Sequence, residues 1–139
     1  MSYEEKGTWV YLATALVTYL GYVAVVLVRA DGGPLTEVAY VAPMLWAIGI
    51  SIALTVVGRV AVEVARPSES QRPDIRDRDI NRHGEYVGFY VLSYGMVPAF
   101  GLALAGADHF WIANAIYLAF LVNALTSSTT KLVAYRRGL

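Results

Sequence analysis

Four mostly apolar runs set the pattern of hydrophobic and polar positions along this chain. They cover about residues 7–28, 38–60, 86–107 and 110–132, and each contains a long stretch without a charged side chain. A helix of about 20 residues crosses a hydrocarbon core roughly 30 Å thick. The pattern therefore predicts an all-α membrane protein, in which four transmembrane helices pack as a bundle and form one domain over residues 1–139. Residues 63–85 form the predicted loop between the second and third spans.

The composition is that of a chain surrounded by lipid. Hydrophobic residues make up 57% of the sequence and charged residues only 16%. A soluble domain carries about 25% charged residues, so the lipid bilayer is the predicted environment. The chain has no cysteine, which excludes disulfides and thiolate metal sites. The first apolar run is too long for a cleavable signal and is predicted to remain as a helix.

Positive charge is divided unequally between the two sides of the predicted bundle. All but Arg29 of the 11 Lys and Arg residues lie before the first span, around the 63–85 loop, or at the end of the fourth span. In a four-span topology these positions share one side of the membrane, and positive charge is retained in the cytoplasm. Both termini and the loop are therefore predicted to be cytoplasmic. Acids and bases nearly cancel in the loop, which argues against nucleic acid as a partner.

Small and weakly polar residues recur on one face of each span, as expected where membrane helices pack together. Asn123 lies near the centre of the fourth span, and an amide there is predicted to hydrogen-bond to another helix. The hydroxyl and amide groups on these faces are also the candidates for contact with a solute. The candidate intramembrane polar residues are Asn123, Ser127, Thr130, Thr18, Ser51 and Thr55.

Charged residues alternate in sign just before the third span. Asp74 is a predicted N-cap, reinforced by Asp77 three residues later, so the third span is predicted to extend beyond the membrane as one helix of roughly 30 residues. Asp74 with Arg78, and Asp79 with His83, have the four-residue spacing of paired charges on a helix. Either a solvated, self-paired helix start or a docking surface would have this pattern. The candidate interaction residues are Asp74, Arg76, Asp77, Arg78, Arg82 and His83.

Two further patterns bear on the organisation of the helices. Thr36 is a predicted N-cap for a helix that continues into the second span. The segment around Lys6 and Gly7 resembles that around His83 and Gly84, and Ala-Leu-Thr recurs at 53–55 and 124–126. These matches indicate a tandem repeat of two helical hairpins.

Metal and cofactor chemistry is not indicated by the sequence. His83 and His109 are predicted at opposite membrane boundaries, so they cannot ligate one metal or haem together. The spans contain no acid or base for proton relay or ion coupling. No cofactor, metal site or catalytic residue is therefore predicted.

The segment leading into the third span resembles that of a group of small, uncharacterised bacterial four-span membrane proteins. The matching residues are Asp74, Arg76, Asp77, Arg78, Ile80, Arg82, Gly84, Gly88 and Tyr90. The resemblance implies a multi-pass protein of the bacterial inner membrane. It implies no reaction.

Three functions are compatible with these patterns. The favoured prediction is association rather than catalysis, as a homo-oligomer or as an accessory subunit of a membrane or cytosolic protein. The first alternative is a small-solute channel or transporter that uses the hydroxyl and amide face. The second is an enzyme acting on lipid at the membrane interface, with Asp79, Arg82 and His83.

Overall fold

The computed structural model describes residues 1–69 and 72–138. It contains four helices, α1 (Tyr3–Ala30), α2 (Val41–Ala65), α3 (Ile75–Leu104) and α4 (His109–Arg137). Each helix is long and apolar enough to cross a membrane, so the all-α prediction is confirmed. Residues 70 and 71 of the predicted loop, and residue 139 of the predicted domain, lie outside the described residues.

The helix boundaries differ from the predicted spans at the 63–85 loop. α2 continues to Ala65 and α3 begins at Ile75, so most of the predicted loop is helical. α3 is 30 residues long, as predicted for a third span that extends beyond its apolar run. It ends at Leu104 rather than near residue 107, and Gly106 adopts a positive φ of 67° in the turn before α4. Glycine adopts this conformation without steric cost.

The connection between α1 and α2 also differs from the prediction. Thr36 lies within a short 3₁₀ turn, Leu35–Glu37, and is not the N-cap of α2. Val38 follows in extended conformation, which interrupts the helix until α2 begins at Val41. Pro43 lies in the first turn of α2, where a missing backbone N–H removes no helical hydrogen bond.

The helices contact one another in the order α2, α1, α4, α3. Extensive packing joins α1 to α2, α1 to α4 and α3 to α4, whereas no packing of comparable extent joins α2 to α3 over the described residues. Neighbouring helices are antiparallel. The bundle is therefore open, with α2 and α3 as its edges, and the first residues of α1 and the last turn of α4 share one end, here called the termini side.

Two helical hairpins, α1–α2 and α3–α4, make up this bundle. In the second, Gly88 and Gly95 of α3 lie directly against side chains of α4. In the first, Gly58 of α2 lies against Val10 of α1. Absence of a side chain lets helix backbones come close, which is a common way for membrane helices to pack.

Candidate functional site

The start of α3 is fixed by a pair of reciprocal hydrogen bonds. The Asp74 carboxylate accepts a hydrogen bond from the backbone N–H of Asp77 at 2.6 Å. The Asp77 carboxylate accepts one from the backbone N–H of Asp74 at 3.3 Å. This capping box satisfies N–H groups that the start of a helix leaves unpaired. It confirms the predicted capping role of both acids.

Asp77 is also the centre of a buried contact between three parts of the fold. The residue is only 7% exposed. Its Oδ1 accepts hydrogen bonds from the Ser2 hydroxyl at 2.9 Å and from the Tyr135 hydroxyl at 2.8 Å. Burying a carboxylate is costly unless it is hydrogen-bonded, and these bonds offset that cost. Ser2, Asp77 and Tyr135, called the Asp77 clamp below, join the starts of α1 and α3 to the end of α4.

The other side of the same helical segment is exposed. Its residues, called the outer face of α3 below, are Arg78, Asp79, Arg82 and His83. Within the described residues neither of the predicted pairs, Asp74–Arg78 and Asp79–His83, forms a salt bridge. These two pairs therefore do not hold the segment. One side is packed against the bundle, and the other presents charges to solvent.

Arg76 lies between the packed and exposed sides of α3. Its Nη2 donates a hydrogen bond to the backbone carbonyl of Tyr135 in α4 at 3.0 Å. The six predicted interaction residues are thus divided. Asp74, Asp77 and Arg76 make hydrogen bonds that hold α3 in place, although only Asp77 is buried. Arg78, Arg82 and His83 are exposed and make no hydrogen bond among the described residues.

A buried ion pair ties the end of α2 to α1. Lys6 Nζ lies 2.9 Å from Glu63 Oε2, and the two side chains are 10% and 13% exposed. Lys6 also donates to the backbone carbonyl of Arg66, and Glu63 accepts from the backbone N–H of Ser68 at 2.8 Å. This pair was not predicted from the sequence. Lys6 and Glu63 have opposite charges and lie at the predicted cytoplasmic ends of neighbouring spans, which could have indicated the pair.

The two hairpins carry similar ion pairs at the termini side. Arg59 Nη2 lies 3.3 Å from Glu4 Oε2, and Lys131 pairs with Glu85. The Arg59 guanidinium carbon lies 5.0 Å from the centre of the Tyr3 ring, a cation–π distance. Arg59 Nε is buried and has no hydrogen-bond partner among the described residues. These pairs fasten each hairpin where it leaves the apolar region.

Most of the predicted intramembrane hydroxyls bond to their own helix. Thr18 and Thr130 each donate to the carbonyl four residues earlier, at 2.7 and 2.8 Å. Thr55 donates to the Ser51 carbonyl at 2.7 Å, and its hydroxyl lies 2.8 Å from that of Thr14 in α1. Hydroxyls satisfied in this way need no solute.

Asn123 packs against α3. Its Oδ1 occupies the space that a Cβ on Gly88 would fill, and Ser127 is buried beside it. In the described part of the chain Asn123 makes no hydrogen bond, so the predicted interhelical bond is not formed there. The contact requires a small residue at position 88, and Asn123 acts in packing.

The interhelical amide bond is instead formed by Asn114. The Tyr22 hydroxyl in α1 donates to Asn114 Oδ1 at 2.7 Å, and Asn114 Nδ2 donates to the carbonyl of Phe110 at 2.8 Å. The role of this residue was not predicted from the sequence. Asn114 is an amide within the fourth predicted span and lies away from the small-residue face, which could have indicated its role.

A groove of about 340 Å³ lies between α2 and α4, over α1. Four hydroxyl-bearing residues, Tyr11, Thr18, Ser51 and Tyr117, contribute to its walls, and the remaining lining is aliphatic and aromatic. Ligand sites are commonly apolar hollows with a few polar groups. This groove suits an apolar chain better than a hydrated solute.

The histidines lie at opposite ends of the bundle. His83 is on the outer face of α3, and His109 begins α4. Across residues 1–69 and 72–138, no group of three or more His, Cys, Asp and Glu residues is placed to hold a metal ion.

The fold indicates a multi-pass helical membrane protein with a fixed, charged helix end outside its apolar region. Comparison with protein-family models found no match, and neither comparison with curated proteins nor comparison with solved structures found one.

Proposed function

We propose that this protein resides in the bacterial inner membrane, has both termini in the cytoplasm, and acts by association rather than catalysis. In this proposal the outer face of α3 docks a protein partner. The observation that carries the proposal is the Asp77 clamp, which fixes α3 from beneath while leaving charged side chains exposed. A surface held in one conformation loses little entropy when a partner binds.

The charges of this surface suit recognition more than stability. Single exposed ion pairs contribute only about 0–1 kcal/mol to folding, whereas complementary charge strongly affects which partner binds. Arg78 and Arg82 are four residues apart and therefore neighbours on one side of α3. We propose that they face acidic groups of the partner.

The proposed orientation predicts the labelling of introduced cysteines. With no native cysteine in the chain, Gly33→Cys and Asn81→Cys each provide one thiol. An impermeant thiol reagent added outside intact cells should label the chain at position 33, and should label position 81 only after lysis. The reason is the retention of Lys and Arg in the cytoplasm. The reverse labelling pattern would overturn the orientation and the cytosolic partner with it.

Reversing the two arginine charges should remove the partner without unfolding the bundle. In cells, a photo-crosslinking residue at Asn81 should capture a protein partner, and Arg78→Glu with Arg82→Glu should reduce that product at least tenfold. The matched control is Arg66→Glu with Arg137→Glu, two exposed charges on the same side of the bundle. Membrane abundance and thermal unfolding should match the unsubstituted protein. Equal capture by both double variants would contradict the proposal.

A further inference from the structure

The two hairpins share one equivalent contact at the termini side. A Cβ on Gly7 would collide with the side chain of Arg59, and one on Gly84 with the side chain of Lys131. In both hairpins the cation also pairs with a glutamate of the first helix, although Glu4 and Glu85 are not at equivalent positions. Position 84 follows position 7 by 77 residues, and position 131 follows position 59 by 72. These two shifts, taken from the contacts, relate α1 to α3 and α2 to α4. The Ala-Leu-Thr recurrence at 53–55 and 124–126 has a shift of 71 and lies one position out of this register.

In the first hairpin, aromatic residues of α4 cover the groove between α1 and α2. The Tyr117 ring lies 5.0 Å from that of Tyr19 and 5.3 Å from that of Tyr22, measured between ring centres. Phe110 lies 5.2 Å from Tyr40 at the start of α2. Val26 and Met44 belong to the same apolar cluster. This cover is how α4 joins the second hairpin to the first.

Among residues 1–69 and 72–138, the equivalent groove of the second hairpin has no such cover. The two shifts carry the cluster residues Tyr19, Tyr22, Val26, Tyr40 and Met44 onto Met96, Ala99, Ala103, Ile112 and Ile116. All five of the latter line one cavity of about 490 Å³ between α3 and α4. The aromatic and branched residues of the first hairpin are thus matched by smaller ones at Ala99 and Ala103, which leaves space for an inserted side chain.

The same shift identifies what would fill this cavity. Tyr117, Leu121 and Ala124 lie on the side of α4 that faces α1, and their equivalents in α2 are Leu45, Gly49 and Ile52. Leu45 is 65% exposed and Ile52 is 63% exposed. A Cβ on Gly49 would meet no atom within 4 Å. The face that packs in α4 is therefore mostly exposed in α2, with Ile52 at the edge of the groove between α2 and α4.

We infer that α2 of a second copy of this chain packs against α3 and fills the cavity between α3 and α4, with Leu45 in the place that Tyr117 takes in the first hairpin. The contact repeats the α1–α4 packing between copies. The interface is heterologous, because α2 of one copy contacts α3 of the next. In a closed ring of copies both edge helices of every chain are covered. Gly49 provides the small residue that lets the helices approach closely. This inference rests on the proposed association. At this second surface the partner is another copy of the same chain.

Crosslinking between single-cysteine chains tests the contact. Two differently tagged chains, one with Leu45→Cys and one with Met96→Cys, are co-expressed, and their membranes are treated with a copper–phenanthroline oxidant. Because each chain has one thiol, a mixed disulfide reports contact between copies only. We expect at least tenfold more mixed product than when Leu45→Cys is combined with Gly101→Cys. Gly101 is exposed on α3 and does not line the cavity.

A second variant separates this contact from folding and from the docking proposal. Gly49→Val should reduce the mixed product at least tenfold, whereas Gly21→Val, equally open within the chain, should not change it. Equal crosslinking at positions 96 and 101, or none in folded protein, would overturn the inference. Arg78→Glu with Arg82→Glu should leave the product unchanged, so failure of the docking proposal would be seen separately.

Discussion

Replacing Asp77 with alanine should destabilise the bundle by roughly 2–4 kcal/mol. The substitution removes the acceptor for the Ser2 and Tyr135 hydroxyls and half of the capping box. Hydrogen bonds to a charged group contribute about 1.5–3 kcal/mol, and buried donors left without a partner add a further cost. Thermal unfolding in detergent measures the loss.

Asp79→Ala is the matched control for this prediction, because Asp79 has the same charge on the exposed side of the same helix. Its effect should stay within about 0.5 kcal/mol. Tyr135→Phe removes one donor, and in the Asp77→Ala background it should cost less than it does alone. Equal losses for the two aspartates would show that the clamp does not support the fold.

Replacing Gly88 with alanine should weaken the contact between α3 and α4. The new Cβ would collide with Asn123 Oδ1 and approach the Cβ of Ser127 at 3.1 Å. Overpacking of this kind costs typically about 1–3 kcal/mol. Gly101→Ala is the control, since a Cβ there meets no atom within 4 Å. That substitution should be neutral or stabilising, because alanine favours a helix over glycine by up to about 1 kcal/mol.

A double-mutant cycle assigns the effect to the contact itself. If the collision with Asn123 causes the loss, Asn123→Ala should restore much of the stability of the Gly88→Ala protein. Thermal unfolding of the four proteins under one condition gives the coupling energy. Additive effects would place the cause of the loss elsewhere in α3.

The individual helices were predictable from the sequence because their signals are local. An apolar run of sufficient length determines a span. The cap of α3 depends on Asp74 and Asp77, three residues apart, and both hydrogen bonds of the predicted box are present. The interrupted start of α2 was missed because Thr36 is an acceptable N-cap, while the chain after it is extended at Val38.

The arrangement of the helices depends on contacts between distant residues, and such contacts leave no periodic signal. The burial of Asp77 requires Ser2 and Tyr135, which are 75 and 58 positions away. In a membrane, apolar residues face both lipid and other helices, so hydropathy does not distinguish the two. Asn123 and Asn114 are both amides in the fourth span, so polarity alone does not show which of them bonds to another helix. Only Asn114 lies within hydrogen-bond distance of Tyr22.

The long sequence separations within the Asp77 clamp impose an order on biogenesis. When α3 leaves the ribosome, the α4 hydroxyl donor to its carboxylate has not yet been made, because Tyr135 follows 58 positions later. Domains and their parts become available for folding from the N-terminus during synthesis. The first hairpin can therefore insert and close while the charged start of α3 has its capping box and Ser2 but not yet its bond from Tyr135. Once α4 is complete, the Tyr135 hydroxyl can donate to Asp77, and the start of α3 is then held against α4.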